Sequence, residues 1–292
     1  MFKLKKRIEK SIQKWIIYVL AAIAVITMFM MAAQIITESI PAFTNVGMRM
    51  FSPDEKWLPV SGNPQFGLIP VILGTIYVSI LGVAIALVLG LGCAFFLNFY
   101  VGEKTAGIAF SFIDMVAGIP SVIFGFIGLT VVVKWFTVKF NMVAGQCVLS
   151  ASIVLGIMLI PFVVSSCSES IRIAREKYEL SALALGFSKE RFILKIAFPA
   201  IKKGILASSI MAFGRGLGET MAVMMVIGNS PIFPKLLGRA QTLPSLTALE
   251  MGSIEYGSIH MSVLYAANLI LLLLLAVVLG IGYTLNRKIS KE

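Results

Sequence analysis

Six runs of apolar residues, separated by polar or proline-rich segments, divide the chain: about 15 to 36, 68 to 97, 107 to 133, 143 to 165, 204 to 228 and 262 to 285. At ~1.5 Å rise per residue, a helix over each run is long enough to cross a hydrocarbon core ~30 Å thick. None of the runs alternates with the period of two that a barrel strand needs. Backbone groups in lipid must be bonded within their own segment, so all six are predicted to be helices. The expected fold is all-α, a polytopic membrane protein with one transmembrane unit over 15–285.

Breaks in the pattern refine this reading. Gly118-Ile119-Pro120 in the third run and Ile160-Pro161 in the fourth are expected to kink or interrupt their helices. Closely spaced glycines (Gly82, Gly90 and Gly92; Gly125 and Gly128; Gly214 and Gly218) are expected where helix backbones approach each other. The segment from about 38 to 67 combines Pro41, Pro53, Pro59 and Pro64 with Trp57 and Phe66. It reads as an irregular loop with aromatic residues anchored at the lipid interface, not as a folded domain. In the loop from about 229 to 261, Leu246 to Met251 is expected to form a short helix on the surface.

Residues 169–203 break the apolar pattern most strongly. Their charges fall at helical spacing, Gly186 is suited to stop a helix, and Ser188 is suited to cap a new one. Two short amphipathic helices joined at Gly186 are predicted, the second ending at Pro199. An amphipathic surface hairpin without further function has the same physics.

Composition agrees with a membrane location: 58% of the 292 residues are hydrophobic and 13% charged, with a mean hydropathy of +0.94. Basic residues near membrane segments are retained on the cytoplasmic side. Placing both termini there puts 18 of the 25 Lys and Arg inside, with 1–14 a basic cytoplasmic N-terminus and 286–292 a cytoplasmic C-terminus. This distribution and contact with anionic lipid account for the net charge of +11, so nucleic-acid binding is not needed to explain it. The uncharged stretch from Trp15 to Thr37 is too long for a signal-peptide core and is expected to remain as an anchor. Cys93, Cys147 and Cys167 are widely spaced and read as buried packing residues, and the single His260 as an interfacial polar residue. No metal site is expected.

Two ionisable residues inside the fifth run carry the candidate chemistry. Arg215 lies ~16 Å along the helix axis from Gly204, near the middle of the bilayer, and Glu219 follows one turn later. Burying a charge there costs at least ~2.5–3.5 kcal/mol, so such residues line a polar path or pair with each other. On a continuous helix the two share a face, and Glu219 would neutralise Arg215 in an empty pathway. Pathway lining and mutual satisfaction both remain open. A guanidinium presents a bidentate fork to oxyanions, and a carboxylate near it can accept a hydrogen bond from an oxyanion that carries a proton. Asp114, about eight residues into the third run, is read as capping a broken helix, pairing with a nearby base or repelling anions.

Gly186, nine residues and then Ile196-Ala197-Phe198-Pro199 resembles the EAA loop of ABC importer permeases, with Leu180 in place of the usual Glu and Glu179 one place early. The segment Gly214-Arg-Gly-Leu-Gly-Glu-Thr-Met-Ala-Val223 is similar to the fifth-span signature of the phosphate permease (PstC) family. Asp114-Met-Val-Ala-Gly-Ile-Pro-Ser-Val122 and Phe66-Gly-Leu-Ile-Pro70 look like two further family segments.

The resemblance implies a type I ABC importer permease of six helices in a prokaryotic inner membrane. Its partners would be a PstA-like second permease, an ATPase dimer and an extracytoplasmic phosphate-binding protein. Residues 178–190 would dock on the ATPase, with Glu179, Ala182, Gly186, Ile196 and Pro199 as coupling residues. No phosphate-binding Gly-x4-Gly-Lys-[Ser/Thr] loop occurs in the chain, so ATP and Mg are expected on the partner, with no cofactor and no catalysis here. A molybdate or sulfate permease, a stand-alone secondary anion carrier and a membrane scaffold or sensor are the alternatives.

Overall fold

The computed structural model describes the backbone of residues 2–289, with side chains from Lys14 onward except Asn286, Lys288 and Ile289. Most of the basic N-terminus and part of the C-terminus named above therefore lie outside the described side chains.

The first run lies within a 44-residue helix, α1 (Phe2–Asn45), which packs along the last helix of the chain. Every side chain from Lys14 to Met31 is exposed, which suits an apolar helix whose surroundings are lipid. After a short 3-10 turn (Gly47–Phe51), strands β1 (Trp57–Leu58) and β2 (Gln65–Phe66) pair antiparallel, Trp57 opposite Phe66. Helix α2 (Ile69–Phe99) follows, then α3 (Glu103–Ala117), α4 (Ser121–Ile127), a π-helical turn (Gly128–Val133) and α5 (Lys134–Lys139). Helix α6 (Val148–Ala184) is the longest core helix, at 37 residues. Short helices α7 (Lys189–Phe192) and α8 (Phe198–Ala200) flank a second π-helical turn (Ile193–Ala197). The chain ends with α9 (Lys202–Leu217), α10 (Met221–Ile227), α11 (Leu243–Glu250) and α12 (Ile259–Ile289).

The main core forms where α2 packs along α6, flanked by α9 and α10. Glycines set this approach: a Cβ at Gly82 would sit 2.9 Å from the Leu155 side chain, and one at Gly90 2.8 Å from Val163. Gly125 and Gly128 do the same for α10, lying against Ala222 and Val226. Gly92, expected to act likewise, faces open space.

Among the described residues, five helices are long and apolar enough to cross a membrane, or six if the bent pair Lys189–Ala200 and Lys202–Leu217, at 59°, counts as one. Six crossings are reached only when that bent pair, which begins within the 169–203 segment, counts as one, and three details differ from the expectation. The third crossing is Ser121–Lys139, not 107–133, because the chain breaks at Gly118-Ile119-Pro120 as expected and leaves α3 a separate helix. Pro120 has no N–H to continue the ladder. In contrast, α6 runs through Pro161 without interruption. Leu159, Val163 and Val164 are fully buried around it, and that packing outweighs one lost backbone bond. The fifth run, expected as one helix over 204–228, is two, α9 and α10, separated at Gly218–Thr220.

A second core closes the end of the bundle where α2 begins. Met50, Trp57, Phe66 and Leu68 pack against Leu243, Leu246, Val263 and Leu264. The loop expected to be irregular thus contains a hairpin, and Trp57 is 6% exposed instead of anchored in the interface. Its indole N–H donates to Glu250 (2.9 Å), whose other oxygen lies 2.7 Å from His260 Nε2. The expected helix over 246–251 begins earlier, at Leu243, under a Thr242–Ser245 capping box that pins its start in the core. Cys147 and Cys167 are buried and Cys93 is half-buried, all as free thiols.

Candidate functional site

Arg215 occupies the last turn of α9, between Gly214 and Gly216. Gly216 is buried against Leu155, Leu159 and Ser79, which seats the backbone deep in the main core while the Arg215 side chain on the other face is exposed. The helix ends at Leu217: Gly218 caps it, and Glu219 N–H returns to the Gly216 carbonyl at 3.3 Å. Three glycines in five residues weaken the helix just where the ladder must stop.

Glu219 therefore does not sit on the Arg215 face one turn further along. No ion pair joins the two among the described residues; Glu219 Oε1 instead accepts from the Ala222 N–H (3.2 Å) at the start of α10. The break resolves the electrostatic problem differently from the expected pairing. A cation stands at a helix C-terminus and a carboxylate at a helix N-terminus, each at the end whose dipole favours its sign. The Arg215 guanidinium has no ion-pair partner among the described residues.

Met211, Arg215 and Gly218 form one exposed stripe on α9. An exposed guanidinium in a crossing segment calls for another polypeptide or a water-filled path beside the stripe. The break is held in place by α10, whose Val226 carbonyl accepts from Ser150 Oγ at 3.1 Å.

Asp114 lies on α3, outside the third crossing, where it accepts a hydrogen bond from Ser165 Oγ (3.3 Å) on α6. It borders a crevice of about 260 Å³ with Asn98, Ser168, Glu169 and Arg172, so it belongs to a polar rim and not to the apolar centre. The length and hydropathy that select Ser121–Lys139 leave Asp114 outside the candidate third crossing.

The segment 169–203 is a hairpin, but its first arm is not a short helix. It is the continuation of α6, which carries the rigid axis of the fourth crossing directly to the turn. Gly186 adopts φ +75°, its N–H donates to the Leu183 carbonyl and that of Phe187 to Ala182, and Ser188 caps α7 through the Arg191 N–H. These are the stop and start expected of Gly186 and Ser188. The second arm continues to Ala200, one residue past Pro199.

Of the five predicted coupling residues, Ala182 is buried, Ile196 half-buried, and Gly186 and Pro199 exposed. Glu179 is held within the chain by Arg175, at 3.0 and 3.2 Å. The turn instead presents Leu180 and Leu185, 81% and 76% exposed. Reading only the family pattern missed them, although apolar residues at a polar turn were visible in the sequence.

The family described as binding-protein-dependent transport system inner membrane component matches residues 86–291. A probable phosphate transport system permease protein PstC of Methanocaldococcus jannaschii is 32% identical over 97% of this chain and 96% of its own length. A probable ABC transporter permease protein YqgH of Bacillus subtilis is 31% identical over 75% of this chain and 71% of its own. Among solved structures, the MetNI methionine ABC transporter in an inward-facing conformation superposes with a TM-score of 0.60 at 15% identity, over 76% of this chain and 95% of that one. The fold is that of type I ABC importer permeases, and the chain belongs to the family of binding-protein-dependent transport system inner membrane components.

Proposed function

We propose that this chain is one of two permease subunits of an ATP-driven importer for inorganic phosphate. The single observation that carries the reading is Arg215: an exposed guanidinium without an ion-pair partner among the described residues, at a helix break inside a membrane crossing. Relatives named as phosphate permeases support the choice of cargo. A second, PstA-like permease covers the Met211–Arg215–Gly218 stripe and closes the pathway between the two subunits.

In this reading both termini and the 169–203 hairpin are cytoplasmic. Leu180, Leu183 and Leu185 enter a groove on the ATPase, where ATP and Mg are bound and hydrolysed. A soluble phosphate-binding protein delivers cargo at the opposite end, beside α11 and the Trp57–Phe66 hairpin. When the ATPase dimer closes, the hairpins move and the bundle alternates its opening. Arg215 then offers phosphate oxygens a bidentate contact that is strong yet releasable, because selection at high affinity is done outside.

The test is uptake by the assembled complex in vesicles with ATP. Arg215→Ala removes a charge-assisted contact worth ~1.5–3 kcal/mol, so uptake should fall roughly 10- to 100-fold. Undiminished uptake sinks the reading. Competition by molybdate or sulfate stronger than that by phosphate reassigns the cargo.

A further inference from the structure

The C-terminal end of α2 is gripped by both arms of the hairpin, with Arg175 at the centre. Its Nε and Nη2 donate to the two Glu179 oxygens, its Nη1 donates to the main-chain carbonyl of Asn98, and its guanidinium lies 5.1 Å from the centre of the Phe99 ring. The Asn98 carbonyl belongs to the last turn of α2, where helix carbonyls lack an intrahelical partner and attract cations. From the second arm, Lys189 stands 4.7 Å over the Tyr100 ring, and Phe192 meets Phe99 edge-on at 6.0 Å. The other end of this line reaches the candidate pathway, because Ser79 of α2 lies against Gly216, next to Arg215.

A neighbouring arginine gives an internal contrast. Arg172 also bonds two glutamates, Glu169 and Glu176, but that pair is exposed and its hydrogen bonds stay within α6. Exposed pairs of that kind contribute little. Arg175 is different because it satisfies a carboxylate and the end of another membrane helix at once.

We propose that Arg175 is a positioning residue that transmits movement of the hairpin to α2, and through α2 to the Arg215 break. Glu179 acts by fixing the guanidinium, so its part in coupling is made inside the chain. The inference rests on the function proposed above. It predicts that loss of Arg175 uncouples transport from ATP hydrolysis without detaching the ATPase.

The experiment uses the complete complex in vesicles, reading phosphate taken up per ATP hydrolysed. Arg175→Ala should lower that ratio at least fivefold while the ATPase still copurifies and hydrolyses within twofold of the unaltered complex. Arg172→Ala should leave the ratio within twofold. If Arg175→Ala does not assemble, Arg175→Lys decides: it keeps the charge but cannot reach Glu179 and the Asn98 carbonyl together. A ratio lowered at least twofold supports the proposal, and a smaller change overturns it. A proportional fall in uptake and hydrolysis also overturns it, since that marks a docking residue.

A second readout does not depend on the cargo. Gly102, where an added Cβ meets nothing within 4 Å, and the exposed Lys195 on the second arm accept spin labels in a background lacking the native cysteines. Their separation should stay narrowly distributed with and without trapped nucleotide, and broaden in Arg175→Ala. An unbroadened distribution in Arg175→Ala overturns the strut. An unaltered complex that hydrolyses ATP but moves no phosphate overturns the cargo instead.

Discussion

Arg215 and Glu219 show how two charges can occupy a membrane crossing without cancelling each other. Each stands at a helix end of complementary sign, so neither needs the other, which is what the proposed contact of Arg215 with cargo requires. Glu219→Gln is informative because Gln keeps the oxygen that accepts from Ala222 N–H, so the start of α10 should survive. The substitution removes the carboxylate that would accept a proton-bearing phosphate oxygen. Preference for phosphate over sulfate in competition assays should fall severalfold at unchanged expression, and an unaltered preference would assign Glu219 to capping alone. Arg215→Lys keeps the charge and loses the fork, so its uptake should lie between those of the native complex and Arg215→Ala. That Arg215 mattered was legible in the sequence, as a charge in an apolar run. How it is tolerated was not, because the i,i+4 rule presumes a continuous helix.

Helices in this protein are positioned by small residues and by stops. Gly128 lies on the π-helical turn with Val154 and Val226 packed over it; a Cβ there would sit 2.6 Å from Val154. Gly128→Leu should overpack this junction at a cost of ~1–3 kcal/mol, read as a lower Tm of the purified complex, and an unchanged Tm would show that α10 can yield. Gly186 has the left-handed conformation that other residues adopt at a cost of ~1–2 kcal/mol. Since Gly186 faces open space, Gly186→Ala should act through backbone strain alone and weaken ATPase copurification, with other spans unaffected. Stops at Gly118-Ile119-Pro120 and at Gly186 were legible because Gly and Pro act locally. Pro161 does not interrupt α6, because its local penalty is overridden by packing of α6 on α2, a contact between residues far apart in sequence.

At the scale of the molecule, the bundle has an enclosed core, a second core at one end, a hairpin at the other, and a charged stripe left uncovered between them. Such a chain should be inert alone. Vesicles holding it without its partners should show no phosphate uptake under an imposed ion gradient; uptake there would favour the secondary carrier. Hydropathy, charge distribution and turn residues in the sequence alone determined an all-α membrane bundle, the hairpin turn and the candidate Arg215. These follow from local rules, since lipid demands long apolar helices whatever their neighbours are. Only the tertiary structure decided that the fifth crossing breaks before Glu219, that Asp114 lies on a polar rim, that Trp57 is buried against Glu250, and that Arg175 ties the hairpin to α2. Each of those depends on which distant segments meet, and packing and helix ends set that after the helices have formed.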